Sequence, residues 1–286
     1  MKKMELKKIL AIMCFILSVA FQVSAKEKII ESLWTDSPLK IDGSVSDWKD
    51  DPLSAEKKAK VDYAFRNDAD FLYVLFRFND LKYLSTIEAT GMTLWIDVLG
   101  KKKKNLGVNF TKKKISSEEY IRLLEQRQGS VSDEQKEKLH ESAFYIISHT
   151  EAIDKKGKSL DPIKQSDAVK GSAYNVSAKQ DIVVYEFRVP LRSLTETMLG
   201  NAIEPGESMK IGFEWGGLTD EIRENYMKGK TSGGSGSIGI SEGGKGGGAT
   251  SVGFSGASPR DLTALRKMTK KYSFWVDVRL ARDEMR

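Results

Sequence analysis

The sequence is poor in the residues that build covalent and metal-based sites. Its 286 residues hold one cysteine, two histidines and six prolines. The cysteine is Cys14, inside an apolar run near the N-terminus, so the chain beyond residue 25 has none. Disulfides, thiolate metal sites and cysteine nucleophiles are thereby excluded from everything after that run. The histidines are His140 and His149. His140 lies among Lys136, Glu137, Lys138 and Glu141, which reads as a solvated face. No His-Glu-x-x-His and no complete Gly-x4-Gly-Lys-Ser/Thr loop occurs, so the chemistry those motifs carry finds no support. Charge of one sign is not in large excess either: 46 Lys and Arg face 40 Asp and Glu, for a net +6.

What is present begins with a segment for export. Lys2, Lys3, Lys7 and Lys8 precede the apolar run from Ile9 to about Phe21, and Val23-Ser24-Ala25 closes it with small residues. This reads as a secretory signal peptide over residues 1–25, cut after Ala25. The run is shorter than the roughly 20 apolar residues that span a bilayer. The segment carries four Lys and one Glu, leaving +3 on the rest, so the basic balance is partly an export feature. An exported chain, periplasmic or extracellular, is expected, with no nucleic-acid partner.

Residues 26–286 read as a single domain of short strands. Val61–Arg66 alternates apolar and polar residues, and Phe71–Phe78 follows across the turn Asn67-Asp68-Ala69-Asp70, which predicts a hairpin. Further runs are Met92–Val98, Leu106–Phe110, Ala143–Ser148, Ile182–Val189, Met209–Trp215 and Tyr272–Leu280. Many short strands separated by turns predict an all-β fold, an antiparallel β-sandwich of jelly-roll type. Two insertions interrupt it. Residues 115–142 read as helical, with Ser116/Glu119 and Ser132/Gln135 spaced as capping boxes. Residues 229–257 hold 12 of the 24 glycines, together with many serines, and read as a flexible loop before the last strand.

The order of certain short motifs narrows the fold. Ile41-Asp42-Gly43 is followed by Asp47-Trp48. Asn67-Asp68 leads into Phe71-Leu72-Tyr73-Val74 and Asn79-Asp80, then comes Leu94-Trp95-Ile96-Asp97, and much later Glu186-Phe187-Arg188-Val189-Pro190. This order resembles the family 9 carbohydrate-binding modules and the wider DOMON-like group over about residues 38–98 and 181–217. The resemblance implies a β-sandwich and, from well-studied members, sugar binding by stacked aromatic rings. Trp48 occupies one position where such a ring sits. A second tryptophan is usual just before the Leu94–Asp97 strand, where this chain has Ile87, and an acid is usual where it has Thr90-Gly91.

Strand alternation supplies further candidates. Met92, Leu94 and Ile96 share one face with the core, leaving Trp95 on the other. Phe274, Val276 and Val278 do the same for Trp275, and Leu72, Val74, Phe76 and Phe78 do so for Tyr73 and Arg77. A flat ring beside charged hydrogen-bonding groups suits a pyranose, so Trp48, Tyr73, Arg77, Trp95 and Trp275 form the candidate carbohydrate site. Core packing is the competing role for each ring. No cofactor is called for. Calcium stays open at Asp68, Asp70 and Asp80, and haem, which needs an axial Met or His, is a minor alternative, since Met92 points into the predicted core and no histidine lies in the sheet. The lysine runs Lys101–Lys104 and Lys112–Lys114 flank one strand and suit either anionic polymers or solvent. Three readings follow: a non-catalytic carbohydrate-binding module, an interaction module of the cell envelope, and a haem-binding domain.

Overall fold

The computed structural model describes residues 28–80, 86–87, 90–179, 182–217, 237–238, 252–253 and 270–283. Residues 1–25, read above as a signal peptide, and nearly all of the Gly-rich segment lie outside the described residues. In chain order the strands are β1 (Ile29–Glu31), β2 (Leu33–Trp34), β3 (Ser54–Glu56), β4 (Val61–Asn67), β5 (Leu72–Phe78), β6 (Met92–Asp97), β7 (Leu106–Ser116), β8 (Phe144–Asp154), β9 (Ala173–Lys179), β10 (Ile182–Val189), β11 (Ser208–Gly216), β12 (Ser237–Ile238), β13 (Val252–Gly253) and β14 (Lys271–Arg279). The α-helices are α1 (Ser117–Gln128), α2 (Asp133–His140), α3 (Pro162–Ala168) and α4 (Leu191–Leu199).

Twelve of these strands form two six-stranded sheets, and β12 and β13 pair with each other in a separate two-stranded one. The first runs β1-β14-β11-β6-β7-β8 and the second β2-β4-β5-β10-β9, with β3 also on β4. The β-sandwich stands, with one correction. It is not wholly antiparallel, because β1 pairs parallel with β14 and β2 pairs parallel with β4. The N-terminal stretch thus closes one edge of both sheets in turn. Ser32, between β1 and β2, is buried there, and its hydroxyl bonds Asn67.

Apolar residues at period two fill the space between the sheets. Met92, Leu94 and Ile96 of β6 and Ile211, Phe213 and Trp215 of β11 face Leu72, Val74, Phe76 and Phe78 of β5. Phe76 and Phe213 meet across the sandwich with ring centroids 4.4 Å apart. Met92 is fully buried in this core.

The helical insertion begins where its caps predict. Ser116 accepts from the Glu119 N–H, and Ser132 and Gln135 make a complete capping box. Two strand boundaries differ from expectation: β8 runs on to Asp154, beyond the expected Ser148 and so taking in His149, and β7 runs past Phe110. Lys112–Lys114 do not flank the strand; they lie inside β7, which runs eleven residues and pairs along its full length with β8. Long lysine stems can lie along a sheet while their charges stay in water, so a lysine run need not end a strand.

Candidate functional site

The five candidate residues divide between opposite outer faces of the sandwich. Trp48, Tyr73 and Arg77 belong to the outer face of the second sheet. Trp95 and Trp275 belong to the outer face of the first. The structure therefore brings together a group of three and a pair, never all five.

On the second sheet the outward parity of Tyr73 is as expected, but its exposure is not. Residues Leu39–Trp48 fold across Ala64, Tyr73, Leu75 and Val184, leaving Trp48 2% and Tyr73 0% exposed. A single carboxylate fastens this segment. Glu186 Oε1 accepts from the Trp48 indole N–H at 2.7 Å. Its Oε2 accepts backbone N–H groups of Asp42, Gly43 and Ser44 at 3.0, 2.6 and 3.2 Å. Burial pushes the Glu186 carboxyl above its ordinary range, and these donors pull in the opposite direction. Gly43 has φ +78°, and a Cβ there would come within 2.9 Å of the Val176–Ser177 backbone, so the Asp42–Ser44 turn passes β9 only as glycine. The Tyr73 hydroxyl donates to Asp68 at 2.7 Å, and burial raises its pKa. Arg77 is half-buried and pairs with Asp62, its direct cross-strand neighbour, at 2.8 Å. Every polar group of this set has a protein partner, so the Trp48 cluster is packing and not an open sugar platform.

The first sheet is arranged differently. Register places Ile153, Gly107, Trp95, Gly212 and Trp275 in one row across β8, β7, β6, β11 and β14. Two glycines floor the row. A Cβ on Gly212 would lie 2.8 Å from the Trp275 ring, and one on Gly107 would lie 2.8 Å from the Trp95 ring. Both indoles therefore lie down against the sheet. The adjacent row is polar: Glu151, Asn109, Thr93, Glu214 and Ser273. Asn109 donates to the Thr93 hydroxyl at 2.8 Å.

Trp275 is half-buried, whereas Trp95 is 5% exposed, against the expectation of an open ring. Ile153 lies beside the ring over Gly107, and the turn after β6 brings Lys104 to it. Asp97, also outward, draws that turn back over the sheet by accepting the Leu99, Lys101 and Lys103 backbone N–H groups at 3.0, 2.7 and 2.8 Å. Lys104 then places its ammonium 5.6 Å from the Trp95 ring centroid and pairs with Glu214. Lys271 reaches the same carboxylate from β14 at 2.6 Å. Burial raises the Glu214 carboxyl, but the two ammonium groups outweigh it and hold its pKa below the ordinary carboxylate range. The Trp95 indole N–H is buried with no acceptor among the described residues. The Gly107 and Gly212 floor and the role of Asp97 were missed in the sequence; glycines at paired registers within strands were the available signal.

Other candidate groups do not assemble. Asp68 satisfies its own turn, accepting the Asp70 and Phe71 N–H groups. Among the described residues no three His, Cys, Asp or Glu are placed to hold a metal ion. Nor is any described helix long and apolar enough to cross a membrane. Grooves of about 250 and 330 Å³ lie beside β1–β2 and beside Leu199–Ile203, and none of the five candidate residues lines either.

Comparison with solved structures finds two family 9 carbohydrate-binding modules to which the chain is similar at a low level. One, from Caldicellulosiruptor kristjanssonii in complex with glucose, is 14% identical over 68% of this chain and 81% of that chain, with a TM-score of 0.35. A second, from the same organism in complex with cellotriose, is 13% identical over 68% of this chain and 80% of that one, with a TM-score of 0.34. Likeness at this level is too low to transfer a sugar site to named residues. No family model and no curated protein matches the chain.

Proposed function

We propose that the protein is an exported, non-catalytic binding module whose ligand is a saccharide held on the outer face of the first sheet. One observation carries this reading: the row containing Trp95 and Trp275 runs directly beside the polar row of Asn109, Thr93 and Glu214. The two indoles are two strands apart, about 10 Å at strand spacing, which matches the span of a short oligosaccharide. Flat rings take the axial C–H face of a pyranose, while the polar row takes its hydroxyls.

The burial of Trp95 favours a second reading, an envelope interaction module whose rings are packing elements. Trp275→Ala separates the two. In a glycan-array screen followed by titration with the best ligand, the substitution should weaken binding about tenfold, as loss of a stacked ring worth roughly 0.5–1.5 kcal/mol beyond its area implies. Far-ultraviolet circular dichroism should not change. A chain that binds no saccharide on the array, or binds one equally well without Trp275, is not using this face for sugar.

A further inference from the structure

We propose that the saccharide is acidic, and that Lys104 and Lys271 receive its carboxylate or sulfate beside the Trp95–Trp275 row. This rests on the saccharide reading of that face.

The argument is one of donors and charge. Lys104 comes from the β6–β7 turn and Lys271 from β14, and both converge on the one carboxylate of Glu214. Among the described residues, two cations on this one anion leave positive charge in excess beside the aromatic row. The adjoining row sets Lys210 between Asp97 and Asp277, two acids to one lysine, and the lysines of the β6–β7 turn outnumber that excess. Lys101–Lys103 stand exposed on the same turn, which Asp97 folds over this face. Glu214 is itself largely withdrawn, its side chain 16% exposed, while the side chains of Lys104 and Lys271 are 41% and 57% exposed. The ammonium groups therefore meet solvent more than the acid does. A neutral sugar offers hydroxyls that both give and take hydrogen bonds. An anionic group only accepts, which suits a surface furnished with N–H donors and excess positive charge.

In this arrangement Glu214 occupies the place of the ligand's anion. It holds the two lysines near the ring row and competes with the ligand for them. Removing the Glu214 charge should then help binding, which a merely structural role for the trio does not predict. The ligands to use are polygalacturonate oligomers as carboxylated chains, a sulfated dextran oligomer, and cello-oligomers as the neutral arm. Against the wild-type chain, Glu214→Gln should tighten binding of the anionic oligomers severalfold and leave neutral ones unchanged. Lys271→Ala should weaken anionic binding about tenfold, the worth of one hydrogen bond to a charged group. Anionic binding should also fall as salt shortens the screening length below about 10 Å. The carboxylated and sulfated arms report which anion fits. If Glu214→Gln weakens anionic binding, or if neutral oligomers bind as well as charged ones, the acidic preference is wrong. Neutral binding that depends on Trp275 would overturn this inference and leave the saccharide reading standing, whereas no binding in any arm would sink both.

Discussion

The two outer faces of the sandwich hold the same kinds of residue and use them in opposite ways. Each carries an indole, a glutamate and lysine or arginine. On the second sheet, Trp48 donates to Glu186, three backbone N–H groups complete that carboxylate, and Arg66 makes a bidentate pair with Asp51. On the first sheet, the Trp95 N–H has no acceptor among the described residues, and Glu214 is shared by two lysines. A closed set of partners marks packing. A carboxylate shared by two exposed ammonium groups marks a surface that can still take a ligand. Satisfaction of hydrogen bonds, more than the presence of aromatics, therefore separates the two faces.

The largest effect should come from the closed face. Trp48 is 2% exposed and packs with Ala64, Tyr73, Leu75 and Val184. Trp48→Ala should cost about 3–5 kcal/mol, the range for truncating a buried aromatic. Chemical denaturation measures the loss, and binding to any saccharide, scaled to the folded fraction, should be unchanged. A Trp48→Ala chain of full stability with impaired binding would reverse the assignment of the two faces.

Glu186→Gln should come next. The amide would keep the shape but aim N–H groups at the backbone donors now served by Oε2, or else at the indole of Trp48. One or more buried donors would lose an acceptor, at about 1–3 kcal/mol. The Asp42–Ser44 turn should then exchange amide protons faster than β4 and β5. Uniform protection across all three would show that Glu186 does not fasten the segment.

Much of the framework was legible in the sequence because strands alternate with period two. That rule placed Leu94, Phe76 and Val278 in the core and Trp95, Tyr73 and Trp275 outside it. The caps at Ser116 and Ser132 were legible because their partners lie three residues away. What parity cannot show is what lies on top of an outward residue. Tyr73 is covered by a segment whose anchoring contact, Trp48 to Glu186, spans 138 residues. Trp95 is flanked by Ile153 and by Lys104 of a turn whose N–H groups Asp97 gathers. The motif Ile41-Asp42-Gly43…Trp48…Glu186 was recognisable as a pattern. Its physical meaning, a carboxylate receiving a turn and an indole, needed the fold.

The smallest effect sharpens the comparison through pH. Burial drives the carboxyls of Glu186 and Glu214 upward alike, but only Glu214 has cations against it. Lys104 and Lys271 bring Glu214 below its ordinary range, whereas Glu186 stays above. A carboxyl whose pKa is lower folded than unfolded adds stability above its unfolded value and loses that contribution as pH falls through the folded value. Glu214 should therefore stabilise the wild-type chain at neutral pH, with the contribution fading below about pH 4.3, where an ordinary glutamate is half protonated. The expected size is below about 1 kcal/mol, because both lysines are substantially exposed and screened by solvent. Thermal unfolding of wild type and Glu214→Gln from pH 7 down to pH 3 isolates it, since every other carboxylate is common to both chains. The two melting temperatures should differ at neutral pH and converge as the solution becomes acid. A difference that persists unchanged to the lowest pH would mean that the lysines do not hold Glu214 charged, and the positive excess beside Trp95 would lose its structural basis.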